Sequence, residues 1–554
     1  MKGKDILNRI DTLITNANIL TLDDQNSKAG SIAISDGIIS NIWRDAEPPI
    51  NSVNITRKTK IIDLKGQTLL PGFIDTHNHI LMYALMRDQI DCSTSPETSI
   101  KVILEAIGEK AKSKENGGWI LGHSYDDTLF HEQRHPTRFD LDKVAPNNPV
   151  LIKHISGHIA VANSLALEMA GIAEDISNPS DGYFGRDPQG KLNGVLFEWG
   201  AMNPVTDKIP NKSIEGMLQD IENTANEYIS KGITTNTDAG IGIVFGQDEL
   251  EVHLKAAEKK LNPMRTKLMI MHDYFRDGEV YADYTPQQLN SQLMEQSNNL
   301  VQFDSVKFFQ DGSIQGLTGA LREPYYKYPN EYGSLIHEEV AFQQEISNIH
   351  RRGFRITTHG NGDRAIGSII DAYQSAIESN PRAEHKHRIE HVQTASSEDL
   401  DRMKELGIAG SFFINHVYYW GDRHKNIFLG PERASRLNPL AEVVKKDLLF
   451  TLHSDCPITA ISPLFSIWAA VNRITRNGEV LGPDQKIDVI TALKSITLYG
   501  ADLNFDKNIT GSIEVGKHAD FAVLEEDPTS VDPMHIKDIE INATIIGGEP
   551  VYGI

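Results

Sequence analysis

Eight short apolar runs, separated by longer polar stretches, constrain the fold of this 554-residue chain more than any other feature. The runs cover residues 69–76, 233–238, 267–272, 305–309, 354–359, 387–391, 408–413 and 448–453. Strand-like runs that alternate with helix-compatible stretches are typical of βα units. Eight such units favour closure into a barrel whose chemistry lies at the carboxyl ends of its strands. We therefore predict an α/β fold built on a (β/α)8 TIM barrel.

The two ends of the chain have a different pattern. Short alternations of apolar and polar residues fill 11–64, with Ser35-Asp36-Gly37 as a hairpin turn, and they return at 511–524 and 541–552. Two β segments that flank a long middle predict one sheet domain assembled from both termini. We therefore expect a β-sandwich made of residues 1–66 and 501–554, with the barrel in residues 67–500.

The gap between the first and second runs is too long for a simple crossover connection. We predict an inserted subdomain over about residues 92–230, after the first barrel strand. Because this segment leaves the barrel at its catalytic end, we expect it to cover the barrel mouth. Its candidates for shaping a substrate pocket are Trp119, Tyr125, His158 and Glu198. A tryptophan that belongs only to the hydrophobic core is the alternative interpretation of Trp119.

Composition excludes several classes of protein. A formal net charge of -22 argues against nucleic acid or an anionic membrane as a partner, because both are polyanions that need basic patches. The 2 cysteines are too few for a disulfide framework, and with no signal peptide evident a cytoplasmic location is expected. No apolar run is long enough to span a bilayer. We expect a soluble protein that acts on a small molecule, with a homodimer as the default oligomer.

His77 and His79 directly follow the first apolar run. In an extended chain residues i and i+2 point to the same side, so both imidazoles can face one ion. Two polar loop histidines are the alternative. Further residues with metal-ligand chemistry stand at or just beyond the ends of other predicted strands, namely Lys307, His359, His391, His453 and Asp455. Imidazole and carboxylate suit zinc and similar first-row ions, and a catalytic site keeps a coordination position open for water.

These residues lie in motifs that resemble the amidohydrolase superfamily, and within it amidohydrolase family 3, the YtcJ-like proteins. The motifs are residues 71–79, Lys307 with 311–313, 358–365, 388–393, 454–457 and 511–524. The resemblance covers nearly the whole chain. It implies a distorted (β/α)8 barrel with a β-sandwich made from both termini. It also implies a metal-dependent hydrolase that usually acts on amide or other C–N bonds.

The resemblance also implies a ligand set. His77 and His79 would bind the more buried ion and His359 with His391 the second, while Lys307 would bridge two divalent ions. An ammonium cannot bridge cations, so the resemblance implies that Lys307 is carboxylated on its amine, and burial that lowers its pKa would supply the neutral amine. Zinc is the expected metal, with manganese or iron possible.

A second interpretation keeps Lys307 as a plain cation. It would then pair with Asp304 or Asp311 beside a site for one metal.

Asp455 carries the most chemistry that the resemblance implies. It would ligate the first metal, accept the proton from the attacking water, which becomes a metal-bridging hydroxide, and later pass that proton to the leaving nitrogen. A capping carboxylate after a strand is the alternative. Asp311, Arg364 and His453 are further candidates for the substrate pocket, whereas Arg364 in a salt bridge and His453 as a satisfied core histidine are the alternatives. Cys456 either approaches the metals or is a buried structural thiol.

The sequence therefore predicts a metal-dependent amidohydrolase. Two other functions remain open: a hydrolase with one metal, as in deaminases, and a non-catalytic binding or regulatory barrel. The complete set of six expected ligand positions argues against the non-catalytic barrel. Fold and metal do not define the substrate, so N-acyl, N-formyl, cyclic amide and carbamate compounds all remain candidates.

Overall fold

The computed structural model describes residues 10–49, 52–93, 99–157, 159–179, 182–210, 212–244 and 246–554. The chain divides into two compact units, one made of Met1–Leu81 with Ile221–Ile554 and the other of Met82–Asp220. Each unit is described by itself. The domain boundaries expected at 66, 92–230 and 500 stay predictions.

The N-terminal strands precede the barrel. They are β1 (Thr12–Thr15), β2 (Asn18–Leu20), β3 (Lys28–Ala29), β4 (Ser31–Ser35), β5 (Ile38–Trp43), β6 (Lys60–Asp63) and β7 (Thr68–Pro71), followed by the first barrel strand, β8 (Phe73–Asn78). The predicted hairpin turn joins β4 to β5, where Asp36 and Gly37 both have positive φ (50° and 75°). Two residues with positive φ are typical of the tight hairpin turns that suit twisted strands.

The second unit contains a six-stranded sheet. Its elements, with the helix α1 that leads into it, are α1 (Ile80–Met86), β9 (Ile90–Asp91), α2 (Ile100–Ser113), β10 (Ile120–Tyr125), α3 (Arg138–Val144), β11 (Val150–His154), β12 (Ile159–Ala162), α4 (Ser164–Met169), β13 (Tyr183–Arg186), β14 (Leu192–Phe197) and α5 (Glu198–Thr206). The sheet order is β13-β14-β12-β11-β10-β9. Val150 and Ile152 pack into one hydrophobic cluster and Leu151 into another, because successive strand residues point to opposite faces. Both faces of this sheet are therefore covered.

The rest of the chain completes the first unit. It contains α6 (Ile214–Ile229), β15 (Ile233–Ile241), α7 (Asp248–Glu258), β16 (Arg265–Met271), α8 (Pro286–Gln296), β17 (Val301–Phe309), α9 (Glu339–Arg351), β18 (Ile356–Gly360), α10 (Asp363–Ser379), β19 (Arg388–His391), α11 (Ser397–Leu406), β20 (Ala409–Phe412), α12 (His416–Arg423), α13 (Gly430–Ser435), α14 (Leu440–Lys445), β21 (Phe450–Leu452), α15 (Pro463–Asn472), α16 (Val489–Ser495), α17 (Leu498–Leu503), β22 (Phe521–Leu524), β23 (Ile541–Ile546) and β24 (Glu549–Gly553). Strands and helices alternate through most of it, as the apolar runs predicted.

The predicted barrel is confirmed. Strands β8 and β15 to β21 form one parallel eight-stranded sheet in the order β21-β20-β19-β18-β17-β16-β15-β8, with helices between successive strands. β21 and β8 also approach each other, so the sheet is nearly closed. The carboxyl ends of parallel strands share one edge, which brings together the side chains that follow each strand.

One strand boundary was predicted wrongly. The predicted run 69–76 is divided between two strands, because β7 ends at Pro71 in one sheet and β8 begins at Phe73 in the barrel. Gly72 lies at the break, and its N–H donates to the carbonyl oxygen of Asp520 at 2.9 Å. A Cβ on Gly72 would lie 2.2 Å from Oγ1 of Thr234, so the chain can change sheets here only because this residue has no side chain.

The remaining strands form two sheets, of which the six-stranded one combines strands from both termini. A four-stranded sheet has the order β5-β4-β1-β6, and a six-stranded sheet has the order β24-β23-β22-β7-β2-β3. One hydrophobic cluster includes Ile14 and Ile32 of the first sheet with Leu69 and Phe521 of the second, so the two sheets pack on a common core. Within the described ranges, the chain has no helix that is long and apolar enough to cross a membrane.

Candidate metal centre

Six predicted ligands and His453 lie at the carboxyl ends of the barrel strands. His77 is in β8, Lys307 in β17 and His359 in β18, while His391 is the last residue of β19. His79 follows β8 and Asp455 follows β21. Most of these side chains are buried. Charged and polar side chains are mostly exposed to solvent in folded proteins. Burial of so many titratable groups in one place calls for a specific compensating contact.

A first donor group contains His77, His79 and Asp455. The Nε2 atoms of His77 and His79 lie 3.2 Å and 3.4 Å from Oδ1 of Asp455. Two donor atoms on one tetrahedral zinc lie about 3.3 Å apart, since each is about 2.0–2.1 Å from the ion. The backbone also holds this group, because the N–H of His79 donates to the carbonyl oxygen of Cys456 at 2.8 Å. The first and last strands of the barrel therefore meet at a set of atoms suited to one cation.

A second pair of imidazoles joins β18 to β19. Nδ1 of His359 lies 3.0 Å from Nε2 of His391, while Nε2 of His359 lies 3.1 Å from the carbonyl oxygen of Gly312 and donates to it. The Nδ1 of His359 therefore carries a lone pair that points at His391. Burial, together with Lys307, lowers the pKa of His359 to about 3, and burial lowers that of His391 well below its usual value. Both rings are thus neutral, which is the form that binds metal.

Lys307 is enclosed by the cluster. Its Nζ is buried and has no hydrogen-bond partner in the part of the chain that the structure describes. Burial lowers the pKa of Lys307 to about 8, although the charges of Glu390 and Asp455 act in the opposite direction. A lysine of this kind has a much larger neutral fraction near neutral pH than an exposed one.

Neither carboxylate proposed as an ion-pair partner contacts Lys307. Asp304 accepts a hydrogen bond from Nη1 of Arg355 at 2.9 Å and lies 3.6 Å from Nη2 of Arg388. Asp311 accepts three backbone N–H groups at 2.8 to 3.0 Å, those of Ala320, Asn361 and Gly362. The predicted pairing of Lys307 with Asp304 or Asp311 is therefore wrong, because both carboxylates are engaged elsewhere, whereas the carboxylation of Lys307 stays a prediction.

Glu390 is a candidate functional residue that the sequence analysis did not single out. Its Oε2 lies 2.5 Å from Nδ1 of His77, and Oε1 forms an ion pair with Nε of Arg388. Burial acts to raise the pKa of Glu390, but Arg388 and His77 outweigh it and hold the group ionised. A carboxylate that accepts the Nδ1 proton of His77 leaves Nε2 as the nitrogen that can bind an ion. The sequence contained a signal for Glu390. The strand β19 is fully buried, yet it carries two opposite charges, Arg388 and Glu390, two residues apart.

Two of the candidate ligands have an unusual backbone. His391 and Asp455 have φ values of 70° and 53°, in the left-handed region that most residues avoid. Each lies where a barrel strand ends. Conformations of this kind persist where the surrounding structure holds them in place, and they concentrate at functional sites.

The other predicted substrate residues are spread more widely. Asp311 links the segment after β17 to the one after β18, and Arg364 lies on the exposed first turn of α10. Trp119 packs in a hydrophobic cluster of the second unit, while the hydroxyl of Tyr125 lies 3.1 Å from Nδ1 of His135. Glu198 begins α5, and His158 lies outside the described residues. The roles of these side chains in substrate binding stay predictions.

Cys456 is buried, and burial raises the pKa of its thiol. A protonated thiol is a poor metal ligand, which favours the structural interpretation of Cys456.

The residues present fit a bound divalent cation. Among the candidate ligands and His453, four buried nitrogens make no hydrogen bond to any residue that the structure describes: Nζ of Lys307, Nδ1 of His391, and both ring nitrogens of His453. Leaving a buried polar atom without a partner costs about 1–3 kcal/mol. These nitrogens lie near the donor group of His77, His79 and Asp455. Imidazole with carboxylate is a donor set that first-row metals prefer. A cation in the cluster would compensate for the missing hydrogen bonds.

Known proteins resemble this chain over most of its length. A model of the amidohydrolase family matches residues 60–552. The chain is 28% identical to an N-substituted formamide deformylase of Arthrobacter pascens, over 97% of both chains. It is also 28% identical to the putative amidohydrolase YtcJ of Bacillus subtilis (strain 168), over 96% of this chain and 98% of the other. An uncharacterized metal-dependent hydrolase from Pyrococcus horikoshii has the same fold, with a TM-score of 0.73 at 22% identity over 95% of this chain and 99% of the other.

Proposed function

The chain belongs to the amidohydrolase family, and from that premise we propose that it is a metal-dependent hydrolase that cleaves an amide-type carbon–nitrogen bond of a small molecule. Family membership supports hydrolysis, and the donor groups at the barrel edge support metal dependence. The bond type is the finer part of the proposal. A relative named for the deformylation of N-substituted formamides matches 97% of this chain, which favours N-formyl and N-acyl compounds as substrates.

One observation carries the proposal. Buried nitrogens without hydrogen-bond partners among the described residues converge at the carboxyl ends of β17, β19 and β21. A barrel that served only as a scaffold would gain stability by replacing such groups with apolar side chains. Active sites of barrel enzymes lie at this same end.

The chain offers positions for two divalent ions. His77, His79 and Asp455 would hold one, and His359, His391 and Lys307 would hold the other. When bound, such ions polarise a carbonyl group and lower the pKa of water from 15.7 to roughly 7. Zinc suits this imidazole-rich set best, with manganese or iron as alternatives.

Lys307 would act as a carbamate. Its neutral Nζ attacks the carbon of carbon dioxide, an N–C bond forms, and the nitrogen releases a proton, which leaves an anionic group with two oxygen donors. An amine whose pKa is about 8 is about half neutral at pH 8, against about 0.4% for an ordinary lysine. The missing hydrogen-bond partner of Nζ, within the described residues, supports a modification that adds atoms at this point.

Asp455 would carry the proton during hydrolysis. Burial acts to raise the pKa of Asp455, but His77 and further imidazoles outweigh burial and hold it well below its usual range. The ionised carboxylate accepts the proton of the attacking water and then donates it to the departing nitrogen. Glu390 positions His77 beside Asp455.

Metal analysis combined with a hydrolysis screen tests the proposal. The chain is purified without added metal and analysed for its elements, and then assayed against N-formyl, N-acyl, cyclic amide and carbamate compounds. We expect about two divalent ions per chain, loss of activity on prolonged chelation, and recovery with zinc or manganese. The Asp455→Asn protein, compared at equal metal content, controls for hydrolysis by contaminants.

Different outcomes separate the alternatives. A chain that hydrolyses its substrate at full rate without metal contradicts the proposed function. One ion per chain with full activity would instead favour the deaminase-like hydrolase. A chain that binds metal but hydrolyses none of the four compound classes would contradict the amide-type bond and leave metal binding intact.

A further inference from the structure

The ring of His453 is buried beside the metal ligands, yet neither of its nitrogens has a hydrogen-bond partner among the residues that the structure describes. A neutral imidazole carries one N–H donor and one acceptor, and both are normally satisfied when the ring is buried. The apolar ring of Phe413 lies against His453, with the two centroids 5.4 Å apart. The ring of Phe413 offers no hydrogen-bonding group to the two ring nitrogens of His453.

On its other side, His453 faces two candidate ligands. Its ring centroid lies 4.6 Å from that of His77 and 5.2 Å from that of His391. One donor atom from each of the three residues can be chosen so that all lie within 4.8 Å of one another. Donor atoms on one tetrahedral zinc lie about 3.3 Å apart, so the three residues lie near enough to converge on one small cation.

We propose that His453 is a metal ligand, and that His77, His391 and His453 form an all-imidazole position for one divalent ion, an alternative to the position formed by His77, His79 and Asp455. The proposal deepens the metal-dependent function above and rests on it, because it uses the same cluster. It assigns His453 to the metal rather than to the substrate.

The two positions exclude each other because they share His77. Nδ1 of His77 is held by Glu390 at 2.5 Å, so Nε2 is the nitrogen available to an ion. One nitrogen lone pair binds one ion at a time. Nδ1 of His391 has no hydrogen-bond partner within the described segments, while its Nε2 faces His359 at 3.0 Å. An ion in the imidazole position would also take His391 from the second ion proposed above. An ion therefore occupies either the mixed position or the imidazole position.

The two positions differ in chemistry. The mixed position contains the anionic oxygen of Asp455, whereas the imidazole position has three neutral nitrogens. Imidazole suits zinc, copper, iron and nickel, while carboxylate oxygen suits manganese and magnesium. The contribution of His453 to metal affinity should thus depend on the metal. It should be large for zinc and small for manganese.

Metal affinity of matched variants tests this inference. The dissociation constants of Zn²⁺ and Mn²⁺ are measured for the chelator-treated wild type, His453→Phe and His416→Phe by competition with a chromogenic chelator. Phenylalanine keeps the ring packing of His453 but removes its nitrogens. His416 is the control, because it is also a buried histidine against Phe413, at 4.2 Å between centroids, and belongs to no donor group found within the described residues.

We expect His453→Phe to weaken zinc binding by at least about 100-fold, above the 10–100-fold typical of a residue that only hydrogen-bonds a ligand. Manganese binding should change little, and His416→Phe should leave both affinities near those of the wild type. Unchanged zinc affinity in His453→Phe would overturn the proposal. Equal losses for zinc and manganese, or an equal loss in His416→Phe, would also overturn it.

A second measurement keeps the proposal testable if His453→Phe does not fold. Wild-type protein loaded with one equivalent of Co²⁺ is analysed by X-ray absorption or pulsed electron paramagnetic resonance to count imidazoles on the ion. Three imidazoles support the imidazole position, and two or fewer overturn it. A wild type that binds no divalent ion contradicts the proposed function itself, whereas a metal-binding hydrolase whose affinity ignores His453 contradicts only this inference.

Discussion

Strand β19 has buried histidines at both of its ends, and the two groups differ in one physical respect. His391 ends the strand within the metal cluster, and His387 directly precedes it at the opposite end of the barrel. At the carboxyl end, buried ring nitrogens lack hydrogen-bond partners within the described residues. At the amino end, each ring nitrogen of His387 has a hydrogen-bond partner. The two ends therefore compare candidate metal-binding histidines with histidines that only stabilise the fold.

The amino-end group is a closed network. Nδ1 of His387 accepts the N–H of Ile356 at 3.0 Å, and its Nε2 lies 2.7 Å from Nδ1 of His350. Nε2 of His350 in turn donates to the carbonyl oxygen of Asn380 at 2.8 Å. His385 accepts the N–H of His387 at 2.9 Å and donates to Leu406 at 2.9 Å. All three rings are neutral and satisfied, so no ion is needed there.

The comparison teaches that burial alone does not mark a functional histidine. His387 and His391 are both buried, and burial lowers the pKa of both. What separates them is whether the hydrogen-bonding capacity of each ring is filled by the protein. Changes at the carboxyl end should therefore affect metal content and activity, whereas changes at the amino end should affect stability.

The largest effect should come from Asp455→Asn. The amide keeps the size of the side chain and one oxygen ligand but cannot take up the proton, so kcat should fall by roughly two to four orders of magnitude. KM should change less, because the lost interaction acts mainly in the transition state. The measurement is kcat at equal metal occupancy. A variant that keeps its metal and a near wild-type kcat would show that another group carries the proton.

A somewhat smaller loss is expected for Lys307→Ala. Removing a bridging ligand should cost more than the 10–100-fold typical of a residue that supports a ligand, with loss of one of the ions. Small carboxylic acids should restore part of the activity by filling the vacated space. Lys267→Ala is the control, because Lys267 is a buried lysine in β16 that pairs with Asp506 at 2.6 Å. Equal rescue of both variants would argue against a carbamate.

Glu390→Gln should have a moderate effect. The amide is as large as the carboxylate but has no charge to hold the Nδ1 proton of His77, so metal affinity or activity should fall by about 10–100-fold. Glu345→Gln is the matched control, since Glu345 lies 2.9 Å from Nδ1 of His272 outside the metal cluster. If the two substitutions lowered metal affinity equally, the orienting role of Glu390 would be wrong.

The smallest effect should be a change in the pH dependence of stability on replacing His387. Burial, together with His385 and His350, holds the pKa of His387 well below its ordinary value of about 6.5. Above pH 6.5 the ring is neutral in both states and its contribution is full. As the pH falls toward the folded pKa, only the unfolded state takes up the proton, so stability is lost by up to about 1.4 kcal/mol per pH unit.

His387→Asn should remove that part of the slope while metal content stays unchanged. The free energy of unfolding between pH 5 and 7 measures it, with exposed His535→Asn as the control. A slope equal to that of the wild type would mean that His387 is not held neutral, and the comparison between the two strand ends would fail.

The sequence predicted the barrel because its strands are buried and the pattern of apolar runs is local. It did not predict that the chain changes sheets at Gly72, since the close approach of Thr234 that requires a glycine comes from another strand. The donor groups at the strand ends were also predictable, because each donor residue lies at or near the end of a run that the local sequence pattern identifies as a strand. Their supporting contacts were not.

Glu390 and Lys307 show why. The partner of Glu390 is His77, 313 positions away in the sequence, so no local pattern joins them. Asp304 and Asp311 lie close to Lys307 in sequence and looked equally suitable as partners. Only the fold, which gives Asp304 to Arg355 and Asp311 to backbone amides, separates those alternatives.

The change of sheet at Gly72 has a consequence for how the site is assembled. Strand β7 lies between β2 and β22, and β22 with its neighbours β23 and β24 comes from the last part of the chain. Ribosomes make the chain from its N-terminus, so the strand that leads to His77 and His79 gains its second sheet neighbour only when residues 521–524 have emerged. The sheet that leads into the first ligand strand is therefore complete only after the last part of the chain has been made.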